Sequence, residues 1–371
     1  MKAPKLLFVV TEDWYFISHR LPLAVAAKAA GFDVVVAARE GPQAHLIREA
    51  GIRFIPFELS RRGGNPLAEV IALWCLYRSE RPDIVHHVAL KPVMFGAIAA
   101  LLGRVPAQVN AITGLGWLFS STNTIVRLIR PTLRWILGRI LAQRNALTIV
   151  QNPEDLNFLK HSGLPVKHLR LVRGAGVDIK IFDVAPQPPD PVCIMMVSRM
   201  LWSKGVGEFL EAAQHLTNSG LTARFVLVGD PDPANPAAVP ESVLRGWHGQ
   251  NGVEWWGRRG DIPEILRKAH IACLPSYREG LPKSLLEAAA CGLPIVTTDT
   301  PGCREVVADG LNGLLIPVGD SEALADALGK LISDADMRQR MGKQSRIRAV
   351  TEYSLETVIK ETLAIYREVL E

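Results

Sequence analysis

Short runs of β-branched and aliphatic residues, each followed by a segment long enough for a helix, recur along the whole chain, and this alternation restricts the fold more than any other feature. In the first half the runs are residues 6–10, 33–37, 53–57, 83–87, 108–112 and 147–150. Parallel strands need long crossovers, usually helices, so the pattern specifies a parallel sheet covered by helices, an α/β architecture. Gly31 and Gly51 stand between a helical stretch and a strand, where a left-handed helix stop belongs. After a further run at 169–172 comes APQPPDP, residues 185–191, whose prolines continue neither helix nor ladder. The pattern then restarts at 192–197, 224–228, 253–256, 271–274, 295–297 and 314–317.

Two Rossmann-like domains follow from this repetition, residues 1–184 and 192–353, with 185–191 as the hinge. A final helix over 354–371 carries apolar Val358, Leu363, Ile365, Tyr366 and Val369 and is expected to pack back across the hinge. A chain of 371 residues with 48% apolar and 21% charged content agrees with two ordered cores. Ligands of open parallel sheets bind beyond the carboxyl ends of the strands, so two sheets facing a central cleft hold a substrate on each side.

Five scattered cysteines without a CxxC pair fit a reduced, cytoplasmic protein. Residues 1–10, followed at once by Glu12 and Asp13, read as a first core strand and not as a leader. The longest other apolar stretch, 93–102, is far below the ~20 residues of a membrane span.

Residues 276–294, SYREGLPKSLLEAAACGLP, form a strand-to-helix loop, a helix and its stop. Pro282 suits the first helical position and Gly292 the left-handed stop. The loop Glu279, Gly280, Leu281 then offers free amides at a helix start, a site for a diphosphate. Lys283, Ser284 and Glu287 share one helical face. Glu287, near the helix centre and without an adjacent cation, needs a polar partner such as ribose hydroxyls.

Glu279 and Glu287 separated by seven residues, with the AxxxGxP that follows, resemble the signature of retaining glycosyltransferases of family four, which have the GT-B fold. The resemblance extends to SRMLWSKG at 198–205 and over essentially the whole chain. It is strongest to bacterial enzymes that add N-acetylgalactosamine to undecaprenyl-diphosphate-linked sugars. It implies that Arg199 and Lys204 neutralise the leaving diphosphate, Glu279 hydrogen-bonds the donor sugar and Glu287 binds the ribose, with Gly280, Leu281, Pro282 and Lys283 beside the nucleotide. No cofactor and no metal ion are implied, because fixed cations and helix-end amides supply the field that stabilises a departing diphosphate. Asp230 and Asp232, in VGDPDP, mimic a metal-binding DxD but read equally as a proline turn.

In the first half, TEDWYFISHR at 11–20 has no GxGxxG, which argues against a dinucleotide. His19 and Arg20 are expected to begin the helix there and to meet an acceptor phosphate. The histidine that many family members carry after the fifth strand is absent from AITGLG at 111–116, leaving Thr113 as the nearest polar residue. His86 and His87 alternate across a strand, so one is expected in the cleft and one in the packing.

Between Asp83 and Glu154 there is no acidic residue, yet Lys91, Arg104, Arg127, Arg130, Arg134, Arg139 and Arg144 fall there in a chain of net charge only +5. Arg127, Arg130 and Arg134 share a helical face near Trp117, Phe119 and Trp135, which reads as a segment lying on an anionic membrane. Nucleic acid is a poorer partner, since no nucleic-acid module is present. The expected activity is transfer from a UDP-sugar to a polyprenyl-diphosphate-linked acceptor by a peripheral enzyme on the inner membrane face. The competing readings are a transferase for a soluble acceptor and a non-catalytic sugar-nucleotide-binding membrane adaptor.

Overall fold

A computed structural model describes residues 3–60, 64–114, 131, 132, 135, 137–143, 145–161 and 166–371. The chain forms two compact units, one of Met1–Ala175 with Thr357–Glu371 and one of Gly176–Glu356. In the first, β1 (Lys5–Glu12), β2 (Asp33–Arg39), β3 (Arg53–Pro56), β4 (Ile84–Val88), β5 (Ala107–Ile112), β6 (Ala146–Val150) and β7 (Leu169–Leu171) make a sheet in the order β3-β2-β1-β4-β5-β6-β7. In the second, β8 (Cys193–Val197), β9 (Arg224–Val228), β10 (Val253–Trp255), β11 (Ile271–Leu274), β12 (Ile295–Thr298) and β13 (Gly313–Ile316) run β10-β9-β8-β11-β12-β13. Every pairing is parallel, with Leu6 opposite Val34 and Ile194 opposite Phe225.

Burial on both faces explains why these strands are continuous apolar runs such as DVVVAA and CIMMV. Alternate residues of β1 enter different cores: Leu6, Phe8 and Val10 pack on one face and Leu7 and Val9 on the other. Winding reverses between β1 and β4 and again between β8 and β11, and these two reversals open a crevice at each sheet's carboxyl edge. Gly31 and Gly51 have φ of +96° and +68° at the helix ends where the sequence puts them.

The passage between units differs from the expected hinge. It falls at Ala175/Gly176, where Gly174 and Gly176 both take left-handed φ. The proline segment 185–191 belongs to the second unit, because prolines that give up N–H groups keep acceptors: His270 Nε2 donates to Pro188 O at 3.0 Å while its Nδ1 accepts from Cys193 N at 3.0 Å. The last helix, Leu355–Glu368, buries Val358, Ile365 and Tyr366 in the first unit's core.

His86 and His87 do lie on opposite faces, but both are sealed in the first unit. His86 stacks on Phe8, with ring centroids 5.0 Å apart, and meets the Tyr366 hydroxyl at 2.5 Å. His87 lies 2.9 Å from the Tyr77 hydroxyl and 2.8 Å from Asn110 Oδ1. Neither imidazole is available to a substrate. Among the described residues no helix is long and apolar enough to cross a membrane.

Candidate active site

The second unit's reversal point gathers the loops that leave β8 and β11. Gly229, with φ +136°, lets Ser198 turn sharply, since a Cβ there would lie 1.9 Å from Ser198 O. The loop then makes a single helical turn, Trp202–Lys204, closed by Gly205 at φ +80°. A side chain at Gly205 would collide with Pro275 O, so the two loops press backbone to backbone. Two hydrogen bonds stitch them: Tyr277 N donates to Ser203 O at 3.0 Å and Ser276 Oγ to the same oxygen at 3.2 Å. Beyond them, Thr298 Oγ1 donates to Ser276 O, and Gly302 packs on the backbone of Glu279 and Gly280.

This framework sets Lys204 Nζ 2.5 Å from Glu279 Oε1. Arg199, on the same loop as Lys204, pairs with Asp232 at 2.8 Å, and Asp230 Oδ1 accepts from Arg258 N at 2.9 Å. The two aspartates that mimic a DxD are thus engaged by cation and backbone, and no cluster of three metal-ligating side chains occurs among the described residues.

The helix Lys283–Ala290 starts directly after the loop, and no side chain caps it. Its first-turn amides, at Lys283 and Ser284, have no intrahelical acceptor and form the positive end of the helix dipole. Pro282 stands one position before the expected first residue, as the N-cap, where its missing N–H is equally harmless. Gly292 takes the left-handed stop at φ +73°. Glu287 is 7% exposed as anticipated, but it does have a cation: Lys283 Nζ lies 2.8 Å away, one helical turn back. The shared face that the spacing indicates is an ion pair, which corrects the reading of Glu287 as lacking one.

Comparison with known proteins fits this geometry. Residues 5–149 match the family model "Glycosyl transferase 4-like" and residues 191–334 "Glycosyl transferases group 1". An alpha-maltose-1-phosphate synthase of Mycolicibacterium smegmatis is 34% identical, covering 83% of this chain and 85% of that protein. The chain belongs to the group 1 glycosyltransferases. The N,N'-diacetylbacillosaminyl-diphospho-undecaprenol alpha-1,3-N-acetylgalactosaminyltransferase of Campylobacter jejuni is 27% identical over 96% of this chain and 98% of its own. HepE of Anabaena, solved with UDP and glucose, superposes with a TM-score of 0.79 at 18% identity, over 98% of this chain and 99% of its own, so the fold is GT-B.

In the glycosyltransferase's first unit, the candidate acceptor residues sit differently from expectation. His19 and Arg20 do not begin a helix. His19 ends the helix Asp13–His19, stacked on Tyr15 at 4.2 Å, and Arg20 joins it to the helix Leu21–Ala29. The cause is Pro22, which fits only near a helix start and so begins a second helix after Arg20. Arg20 is 4% exposed, and its Nε has no hydrogen-bond partner. Thr113 is half-buried directly after β5. Arg127, Arg130 and Arg134 lie outside the described residues.

Sequence reasoning missed three features of this glycosyltransferase. Arg278 stands exposed beside Glu279; desolvation of its inner part disfavours its charge while Glu279 supports it. Tyr277 donates to Glu208, a bond that pushes the phenol up to about 12. The third is an apolar outer surface on the helix Pro66–Glu80. That helix buries Val70, Leu73, Leu76 and Tyr77, yet also exposes Leu67 (68%), Ile71 and Trp74. A Cβ on Gly103 would sit 3.7 Å from Trp74 Cδ1, so Leu101 (61% exposed) and Leu102 emerge beside the tryptophan. The helix is apolar on both sides, a signal that period-based reading had available. Glu69 and Glu80 are paired with Lys91 and with Lys5 and Arg53, leaving Arg78 as the charge among the exposed apolar side chains.

Proposed function

We propose that this glycosyltransferase moves an N-acetylhexosamine, with retention, from a UDP-sugar to a polyprenyl-diphosphate-linked saccharide at the cytoplasmic face of a membrane during surface glycan assembly, without a metal ion. The observation that carries the reading is the Lys204–Glu279 contact at the reversal point, directly before an uncapped helix start. In that arrangement an arriving diphosphate takes over Lys204, joined by Arg199 and by the amides of Lys283 and Ser284. Glu279 is released to accept hydrogen bonds from the donor sugar. Fixed donors aimed at the charge that develops on the leaving group need no reorganisation as the glycosidic bond breaks. Buried Glu287 accepts from the ribose hydroxyls while Lys283 holds its orientation.

Support for the acceptor comes from the Campylobacter relative, whose name describes an undecaprenol-diphosphate sugar, and support for UDP from HepE. The membrane reading is supported by the exposed Leu67, Ile71, Trp74, Leu101 and Leu102 and by the run from Asp83 to Glu154 that has cations and no acids. An exposed apolar patch in a chain with a locally cationic sequence run suits an anionic lipid surface. The deciding experiment is turnover with a panel of UDP-sugars against diphosphate-lipid and free saccharide acceptors, with and without excess chelator. Equal use of free saccharide would remove the lipid-linked acceptor, and activity lost with chelator and restored by a divalent ion would remove the metal-free mechanism.

A further inference from the structure

A cavity of about 460 Å³ opens in the second unit, away from the loops described above. Its walls come from residues 184–188, the turn 266–270 before β11, the turn 291–294 before β12, and the helix Ala335–Glu352. Those turns precede the strands, whereas the Lys204–Glu279 loops lie at the strands' carboxyl ends. Four residues of β11 at 3.3 Å each put roughly 13 Å between the two edges. The cavity also abuts Cys291 and Gly292, the stop of the helix whose start faces the nucleotide. Its floor is fixed, because Gly342 approaches Gly292 so closely that a Cβ would lie 2.2 Å from Gly292 O.

The lining combines aliphatic side chains, Pro186, Pro188, Leu266, Leu293, Pro294 and Ile347, with cations, most of them on the helix Ala335–Glu352. Two of the cations are answered: Arg267 by Glu264 at 2.7 Å and Arg346 by Asp183 at 2.9 Å. Arg338 and Lys343 meet no carboxylate among the described residues. Arg338 is 6% exposed, spends Nη1 on the carbonyls of Leu331 and Ile332, and leaves its buried Nε with no hydrogen-bond partner. A buried guanidinium without a counter-charge is costly and attracts an anion. The cavity's size is that of a small-molecule site, and apolar walls with a few convergent polar groups are the usual composition of one.

We propose that this cavity is a second ligand site, separate from the nucleotide site, for a small amphiphile with an aliphatic body and a single phosphate or carboxylate head. The body lies along the proline and leucine wall, and the head reaches Arg338 and Lys343.

The test is calorimetric titration of decyl phosphate, kept below its micelle concentration, into full-length protein saturated with UDP. One equivalent should bind, at least tenfold more tightly than decyl maltoside. Placing carboxylates on the exposed rim with Lys343→Glu and Gln339→Glu should weaken it at least tenfold at an unchanged melting temperature. Trp74→Ser should leave it intact, which separates this site from the apolar helix surface of the first unit. The proposal is overturned by absence of saturable binding, by competition with UDP, by equal affinity for the neutral detergent, by indifference to the added rim carboxylates, or by loss in Trp74→Ser.

Discussion

Gly302 packs on Glu279 so closely that a methyl group at its Cα would lie 2.7 Å from Glu279 O and 2.5 Å from Gly280 O. The position is glycine for space alone, and the glycine allows the helix Pro301–Val306 to brace the loop that aims Glu279. Gly302→Ala should therefore push that loop outward. Overpacking of this type costs about 1–3 kcal/mol. The variant should stay folded by circular dichroism yet lose turnover far beyond what its lowered melting temperature explains; wild-type kcat would show that the loop's placement is unimportant.

Glu279→Gln keeps the shape of the side chain and removes the charge that holds Lys204. Turnover should fall by a factor of about 100 or more, the usual cost of losing one well-placed polar group in a transition state. UDP affinity should stay the same or improve, since Lys204 no longer has a competing carboxylate. Calorimetry showing weaker UDP binding would place Glu279 on the nucleotide instead of the sugar.

Glu287 has two candidate roles, ribose ligand and partner of Lys283, and they separate by magnitude. Loss of a charged hydrogen bond to UDP costs about 1.5–3 kcal/mol, whereas an i,i+4 ion pair contributes about 0.2–0.5 kcal/mol to a helix. Glu287→Ala should weaken UDP binding by the larger amount, and Lys283→Ala by less. If Glu287→Ala alters only the melting curve, its role is confined to the helix.

Burial lowers His87 from 6.5 to about 4, with the hydrogen bond to Asn110 opposing the shift. Between those pH values the unfolded chain takes up a proton that the folded chain refuses, so stability falls as pH drops from about 6.5 to 4. At 1.36 kcal/mol per unit, this one imidazole accounts for up to about 3 kcal/mol. His86 is shifted the same way and adds to the slope. Urea unfolding of His87→Gln at pH 7 and pH 4.5 should show a smaller acid loss than wild type; an equal loss would assign the slope to other groups.

Each arginine near an anionic leaflet contributes about 1 kcal/mol of attraction. Neutralising Arg127, Arg130 and Arg134 should thus cost roughly 3 kcal/mol of vesicle binding, and replacing Leu67, Ile71 and Trp74 by serine should weaken it further. Neither change should affect turnover on a short-chain, water-soluble acceptor. Sedimentation with vesicles at rising salt distinguishes the two sets, since the arginine contribution is screened and the apolar one is not. Full vesicle binding by both variants would dismiss both contributions.

All thirteen strands were legible in the sequence because parallel strands are apolar on both faces and stand out as short runs such as IACL and RFVLV. The loop and helix at 276–294 were legible for a different reason, since Pro282 and Gly292 fix local backbone geometry through their own chemistry, whereas SRMLWSKG was legible through its family resemblance. What stayed hidden depends on distant neighbours. Asp232 finds Arg199 across 33 positions, Pro188 is captured by His270 across 82, and Gly302 braces a loop that precedes it by some twenty residues. No local period encodes these pairings. The junction at Ala175/Gly176 was missed because APQPPDP is the stronger break in composition although not the break in packing.

The return of Thr357–Glu371 to the first unit means that two covalent connections, not one, join the halves of this protein. A single proteolytic cut near Ala175 would leave the halves tethered, and removing the last fifteen residues would strip Tyr366 from His86 and uncover the first core. The second unit is in effect an insertion within the first. To exchange the second unit for that of another protein of this fold, the foreign segment has to be spliced in at both seams, replacing 176–356 as a cassette; end-to-end fusion of two half-genes would leave the recipient without its own closing helix.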